Sequence, residues 1–242
     1  MQSLFDDLVP TESPAARLPA IHERLCDHFG CPISYFHGLE PMGELVSSLL
    51  GHRTRNQDSG LAFRQLRAAF PTWDDVADGD VGGIELAIAP CTWPEAKAPA
   101  LQRALLEVRR QVGHLGNDAL DFLGDLPPRK ARDWLEKIPG VGPKTSAAVL
   151  SFSRLRGRAL PVDSHHHRVA VRLELIPATL PVGPSHAVLE AMLPDEFDAQ
   201  AVYDHHEVMM FLGQEICHYR NPACRRCPLL DLCPTGLANS AG

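Results

Sequence analysis

Two helical patterns joined through a glycine-rich turn constrain this chain more than any other feature. Arg129 to Lys137 is rich in helix-forming residues, and downstream Thr145, Ala148, Val149 and Phe152 fall at the i, i+3, i+4, i+7 spacing of one buried helix face. Between them runs Ile138-Pro139-Gly140-Val141-Gly142-Pro143-Lys144. Gly140 and Gly142 permit positive φ and the close approach of another molecule's backbone. Pro143 suits the first turn of the second helix, where its missing N–H costs nothing. The amides of Val141 and Gly142 then sit at a positive helix end, a place suited to a phosphate, with Lys144 one residue inside the helix beside the anion. A plain αα-hairpin with a glycine turn fits the same pattern without any ligand.

Composition narrows the setting. With 242 residues, 45% of them apolar, the chain can bury a core and form one or two domains. The segment Met1-Gln2-Ser3-Leu4-Phe5-Asp6-Asp7 is acidic where a signal peptide would be basic, and no apolar run approaches membrane-spanning length. The expectation is a cytoplasmic or nucleoid-associated monomer with no membrane partner. Seven cysteines make an odd count, and four crowd into Cys217 to Cys233, which favours a metal centre over a disulfide framework. Cys26, Cys31 and Cys91 are expected to be ordinary buried thiols. A net charge of −7 speaks against a general nucleic-acid-coating protein. Its distribution is uneven: Arg129 to Arg172 holds ten basic residues against three acidic ones, a local +7 that leaves −14 elsewhere. Because the glycine turn lies inside it, that segment reads as a local footprint for phosphates.

In chain order, residues 1–16 lack periodicity and read as a disordered tail. Leu18, Ile21, Leu25 and Phe29 predict an amphipathic helix from Arg17 to Phe29, and a second runs from Met42 to Leu50. It ends in Gly51-His52-Arg53-Thr54-Arg55-Asn56, where Asn56 could cap the next helix. An exposed Trp in the loop Ala89-Pro90-Cys91-Thr92-Trp93-Pro94 would stack on bases, although Trp is more often core. Leu101, Leu105, Val108 and Val112 mark the buried stripe of a long helix that begins at Pro94. After the hairpin, Asp163 precedes Ser164-His165-His166-His167-Arg168-Val169 as a natural N-cap. Three consecutive histidines on a helix fan out by about 100° each and cannot converge on one ion. His165 is left to support local structure or a phosphate, and His205-His206 to packing. Cys217, Cys224, Cys227 and Cys233, spaced C-x6-C-x2-C-x5-C, could hold an iron–sulfur cubane or a four-thiolate zinc ion.

These stretches together resemble the endonuclease III family of DNA glycosylases. The hairpin resembles the family's L-P-G-V-G-x-K-T-A, Val162-Asp163-Ser164-His165 its V-D-T-H, and the 6-2-5 cysteine spacing its [4Fe-4S] signature, over about Leu39 to Cys233. The resemblance implies an all-α, two-domain helix-hairpin-helix glycosylase fold. Residues 39–156 would form a six-helix barrel with the hairpin at 129–154, 17–38 plus 157–234 a cluster domain, and 235–242 a tail. It further implies Lys144 as nucleophile and Asp163 as catalytic carboxylate, facing one cleft, and a [4Fe-4S] cluster on the four cysteines. DNA would be met by Gly140, Val141 and Gly142, by Arg53 filling the gap left by a flipped nucleotide, by Trp93 as a wedge, by His165, and by Arg220, Arg225 and Arg226 of the cysteine loop. The partner would be double-stranded DNA with a damaged base or an abasic site. The implied function is base excision repair: glycosylase with AP lyase (β-elimination) activity on oxidised pyrimidines through a Lys144 Schiff base. Gly51, Arg53, Asn56, Thr92 and Trp93 depart from the family pattern. They leave open a monofunctional glycosylase for alkylated or mismatched bases, or a DNA-binding or electron-transfer protein that keeps the hairpin and cluster. An adenine glycosylase would carry a glutamate where this chain has Ser47.

Overall fold

The computed structural model describes residues 13–240. Among them all regular structure is helical: α1 Pro14–Phe29, α2 Pro41–Gly51, α3 Asn56–Ala69, α4 Trp73–Asp78, α5 Val81–Ala87, α6 Pro94–Val112, α7 Pro128–Leu135, α8 Pro143–Phe152, α9 Ser164–Arg172, α10 Val182–Glu190, α11 Ala199–Glu215 and α12 Pro234–Ser240. Short 3-10 turns at Asp121–Asp125, Cys224–Arg226 and Leu230–Leu232 complete it. No helix among these residues is long and apolar enough to cross a membrane.

The chain forms two compact units, one of residues up to Ser34 with those from Arg158 onward, the other Tyr35–Gly157. The second unit holds α2 to α8. Its helix α2 is unusual in being buried on nearly all sides, with Pro41 through Val46, Ser48 and Leu50 all inside, so α3, α6 and α8 pack around it. Helix α6 continues through Pro99 and ends at Gly113, whose left-handed φ of 96° lets its N–H donate to the Arg109 carbonyl. At the start of α4, Thr72 and Asp75 exchange the reciprocal bonds of a capping box.

The other unit packs α1, α9, α10 and α11 around Leu18, Ile21, Leu25, Val169, Leu189 and Met209. Gly213 lets α11 approach α9 closely: an added Cβ there would stand 2.7 Å from His165 Cβ. Arg17, buried at the start of α1, donates to the carbonyls of Leu173 and Glu174 and so ties α1 to the end of α9.

Three expectations need correction here. The stretch 1–16 is not a tail throughout: Ser13 caps α1, Pro14 is its first residue, and the first turn lies inside that stretch, while residues 1–12 lie outside the described part. Residues 235–240 are not a tail either but belong to α12, anchored by the Leu237 N–H on the Cys233 carbonyl. Cys26 and Cys31 are not free thiols; they form a disulfide beside the end of α1, whereas Cys91 is free and buried. The pairing was illegible because Gly30 turns the chain between them with φ 85°.

Candidate active site and cysteine pocket

The hairpin forms, but with a different distribution of amides. Only Gly140 has positive φ, 85°; Gly142 is extended at −113° and caps α8. The Val141 side chain is buried and its N–H donates to the Ile138 carbonyl at 3.0 Å, so this amide is not free for a phosphate. The turn closes on itself through that bond and leaves the start of α8 as the positive end. Lys144 is the second residue of α8 and is half-buried. Next to it, buried Thr145 meets His52 at 2.9 Å between Oγ1 and Nε2, which fixes the end of α2 against the start of α8. Burial first, then Lys144 and Lys97, hold the His52 imidazole below its usual value, so it stands neutral beside the lysine.

One residue that sequence reasoning missed lies in the same place. Glu44 of α2 is 3% exposed. Its Oε1 accepts from Ser48 Oγ at 2.9 Å, and its Oε2 lies 3.3 Å from His37 Nε2. Desolvation pushes its carboxyl up to about 7, against the smaller opposing pull of the Ser48 bond and of the Lys144 and Arg156 charges. A signal existed: in Pro41-Met42-Gly43-Glu44-Leu45-Val46-Ser47-Ser48-Leu49-Leu50 the apolar residues face all ways, which marks a helix buried all round and its lone charge as interior.

Arg53 and Trp93 stand together at the rim of one pocket of about 440 Å³, with Pro139 and Gly140 of the hairpin in the same wall. Both are held at left-handed φ, 52° and 54°, and the Arg53 guanidinium lies 5.8 Å from the Trp93 ring centroid. Trp93 is 51% exposed, so it is not a core residue. What holds this strained pair is Lys97, whose Nζ donates to the carbonyls of Leu50 (2.5 Å) and His52 (2.8 Å) and to Thr54 Oγ1 (2.7 Å). Thr54 Oγ1 in turn accepts from the Thr92 N–H. One ammonium thus caps the end of α2 and pins both loops. Asn56 does not act as a cap; it is the first residue of α3, after Arg55.

Asp163 and His165 belong to the other unit. Asp163 caps α9, its Oδ1 accepting from the His166 N–H at 2.7 Å, which leaves the second oxygen of a partly exposed carboxylate outside that bond. His165 Nδ1 lies 3.1 Å from Arg168 Nη2, and Arg168 donates on to the Gly213 and Cys217 carbonyls, so His165 is built into the α9–α11 packing. His166 is fully buried among His205 and His206, at ring separations of 5.4 and 6.0 Å, while His167 reaches the Leu180 carbonyl at 2.8 Å.

The basic segment is mostly spent internally. Arg156 donates to the Phe152 and His37 carbonyls, Arg158 to Phe197 and Pro194, and Arg172 to Cys217, His218 and Tyr219, while Arg154 pairs with Asp121. Of its ten cations, Arg129, Lys130 and Lys137 remain exposed without such a partner among the described residues. The local +7 is therefore largely a set of carbonyl clamps, which charge counting cannot distinguish from a free surface.

The four cysteines of the C-x6-C-x2-C-x5-C run are free and line one pocket with Arg172, Ile216 and Gly236. Among the described residues no three His, Cys, Asp or Glu side chains converge tightly enough for a single metal ion. Two donors reach these sulfurs, the Arg172 guanidinium to Cys217 Sγ at 3.1 Å and the Gly236 N–H to Cys233 Sγ at 3.3 Å, while burial pushes the Cys227 thiol up and that of Cys233 up to about 11. At Gly236 an added Cβ would fall 3.4 Å from that sulfur, so the backbone approaches because no side chain intervenes. Arg220, Arg225 and Arg226 are exposed on this loop.

No protein-family model matches the chain. It is 33% identical over 167 residues to an Arabidopsis thaliana protein described as a candidate DNA glycosylase, covering 68% of this chain and 56% of that one. With the endonuclease III of Synechocystis it shares 25% identity over 241 residues, 99% of this chain and the full length of that enzyme. Among solved structures, a trapped covalent intermediate of endonuclease III with DNA superimposes with a TM-score of 0.76 at 22% identity, over 93% of this chain and 98% of that one. Full-length alignment, the shared all-helical fold and a hairpin that leads into Lys144 agree: the chain belongs to the endonuclease III family of helix-hairpin-helix DNA glycosylases.

Proposed function

We propose that this DNA glycosylase is bifunctional, releasing an oxidised pyrimidine from double-stranded DNA and then cleaving the abasic strand by β-elimination. The observation that carries this reading is the half-buried Lys144 in the first turn of α8, directly after the Gly140 turn and beside neutral His52. Extruding the damaged base costs about a few kcal/mol, less where pairing is already weakened. As the base–sugar bond lengthens, positive charge builds on the sugar, and the carboxylate of Asp163 is assigned to stabilise it. The unprotonated amine of Lys144 attacks C1′ as the base leaves with the bonding electrons; a proton then passes from the nitrogen to O4′ as the C1′–O4′ bond breaks, and the opened sugar is held as a Schiff base. Loss of a proton from C2′ then expels the 3′ phosphate. Gly140 and Gly142 offer backbone to the phosphates, Arg53 and Trp93 occupy the distorted duplex, and His165 supports α9.

Cys217, Cys224, Cys227 and Cys233 would hold a [4Fe-4S] cluster, and Arg172 and Gly236 donate to the sulfurs of Cys217 and Cys233. When bound, the cluster ties the loop into one shape that presents Arg220, Arg225 and Arg226 to the DNA backbone. Strand-cleavage assays on a duplex with an abasic site test the reading. Wild type is expected to leave a β-elimination end, and Lys144→Gln to lose at least a hundredfold in rate. Equal cleavage by both would overturn it.

A further inference from the structure

The residues that lead into Asp163 form an irregular, fully buried piece of chain, in a protein whose regular structure among the described residues is all helical. No strand lies alongside Leu160, Pro161 and Val162 to take up their backbone groups, so other partners must. Side chains do so. The Leu160 N–H donates to Glu190 Oε1 at 3.4 Å and the Val162 N–H to His186 Nε2 at 3.0 Å, while the Pro161 carbonyl accepts from His206 Nδ1 at 2.7 Å. His186 and Glu190 stand four residues apart on one face of α10, about 6 Å along the helix, close to the about 6.6 Å between alternate amides of an extended chain. One helix face thus serves the segment as a neighbouring strand would. His186 is 1% exposed, and its second nitrogen fixes the tautomer. Nδ1 lies 2.9 Å from the Val182 carbonyl and 3.1 Å from that of Gly183, which can only accept, so Nδ1 carries the proton and Nε2 is left as the acceptor.

We infer that His186 is a positioning residue for base release: through the Val162 amide it holds the Asp163 carboxylate at the place where charge develops on the sugar. Val162 directly precedes Asp163, so the bond from its N–H fixes the backbone from which the carboxylate springs. From the other side, the His166 N–H fixes one carboxylate oxygen. A preorganised charge acts only where it already stands when the transition state forms, so a small shift of that backbone is costly in rate. The inference deepens the glycosylase reading and rests on the proposed role of Asp163. It does not depend on Lys144 chemistry.

The test is single-turnover base release from a duplex carrying an oxidised pyrimidine, thymine glycol, beside equilibrium binding to a duplex with a tetrahydrofuran abasic analogue. The proteins are wild type, His186→Leu, His186→Gln, His186→Asn and Asp163→Asn, with circular dichroism to give the fraction folded. His186→Leu removes the acceptor. It should slow base release by folded protein about a hundredfold, the cost of about 1 Å of misplacement, while affinity for the analogue stays within about threefold of wild type. His186→Gln, whose amide oxygen ends at the level of Nε2, should recover at least about tenfold of that rate. His186→Asn, whose amide ends at the level of Nδ1 and falls short of Val162, should not, and it reads the same loss if the leucine variant does not fold. Wild-type rates in folded His186→Leu or His186→Asn, equal losses in the glutamine and asparagine variants, or a loss of rate matched by an equal loss of affinity would each overturn the inference. With Asp163→Asn slow, those results leave the role of Asp163 standing. Asp163→Asn at the wild-type rate, or no base release by wild type, would overturn that role and the inference with it.

Discussion

At the scale of single residues, Asp163 is the cap of α9 and is proposed to be an electrostatic group, and substitutions can separate the two. As a cap it needs an acceptor oxygen, which asparagine also has; as an electrostatic group it needs charge. Asp163→Asn is therefore expected to change unfolding free energy by less than about 0.5 kcal/mol while lowering base release at least a hundredfold, and Asp163→Ala to cost about 1 kcal/mol besides. Denaturant melts beside single-turnover kinetics check this; equal loss of stability in both variants would assign Asp163 to the cap alone. Glu44 offers a second separation. Its carboxyl, raised to about 7 in the fold, binds protons more tightly folded than unfolded. Its favourable contribution is complete below about 4.5 and lost as pH rises through about 7. Glu44→Gln should thus be more stable than wild type at pH 8, by about 3 kcal/mol, and gain nothing at pH 4. An advantage that does not depend on pH would contradict the assignment. Asp163 was legible in sequence because a cap precedes its own helix. Glu44 was not read as interior, although the apolar residues of α2 face all ways, because α8, which packs on α2, lies far along the chain.

At the scale of elements, the hairpin and the long helices followed from apolar spacing and glycine placement, and they formed within a few residues of their expected bounds. What spacing could not give was the allocation of bonding groups: the Val141 N–H closes the turn, and six arginines of the basic segment serve carbonyls or carboxylates. Both depend on which acceptor happens to be near after packing. Lys97 is the clearest case, a lone lysine of α6 that holds the end of α2 and, through Thr54, the Trp93 loop. Lys97→Met keeps the aliphatic stem and removes the ammonium. It should cost about 1–3 kcal/mol through the two carbonyls that lose their charged donor, and it should release Arg53 and Trp93 from their shared geometry. Tryptophan fluorescence and thermal melts read the two effects; an unchanged melt would show that the clamp is dispensable.

At the scale of the whole molecule, the all-helical architecture and the endonuclease III family were readable from four motifs in order. The histidine cluster was not, because His22 of α1, His166 of α9 and His205 of α11 come to it from distant parts of the chain. Burial holds His205 down to about 3 and His166 well below its ordinary value, with neighbouring histidines adding to the effect. Groups with lowered folded pKa take up protons preferentially when unfolded, so the stability they contribute is present above about 6.5 and lost as pH falls toward about 3. Replacement of His166 and His205 by phenylalanine should flatten acid unfolding followed by circular dichroism; an unchanged acid midpoint would place the sensitivity elsewhere. The central claim concerns Lys144. The most direct measurement is peptide mass spectrometry of the protein after borohydride reduction on DNA with an abasic site. A deoxyribose adduct on Lys144 is the expected result, and an adduct on another lysine, or none, would contradict it.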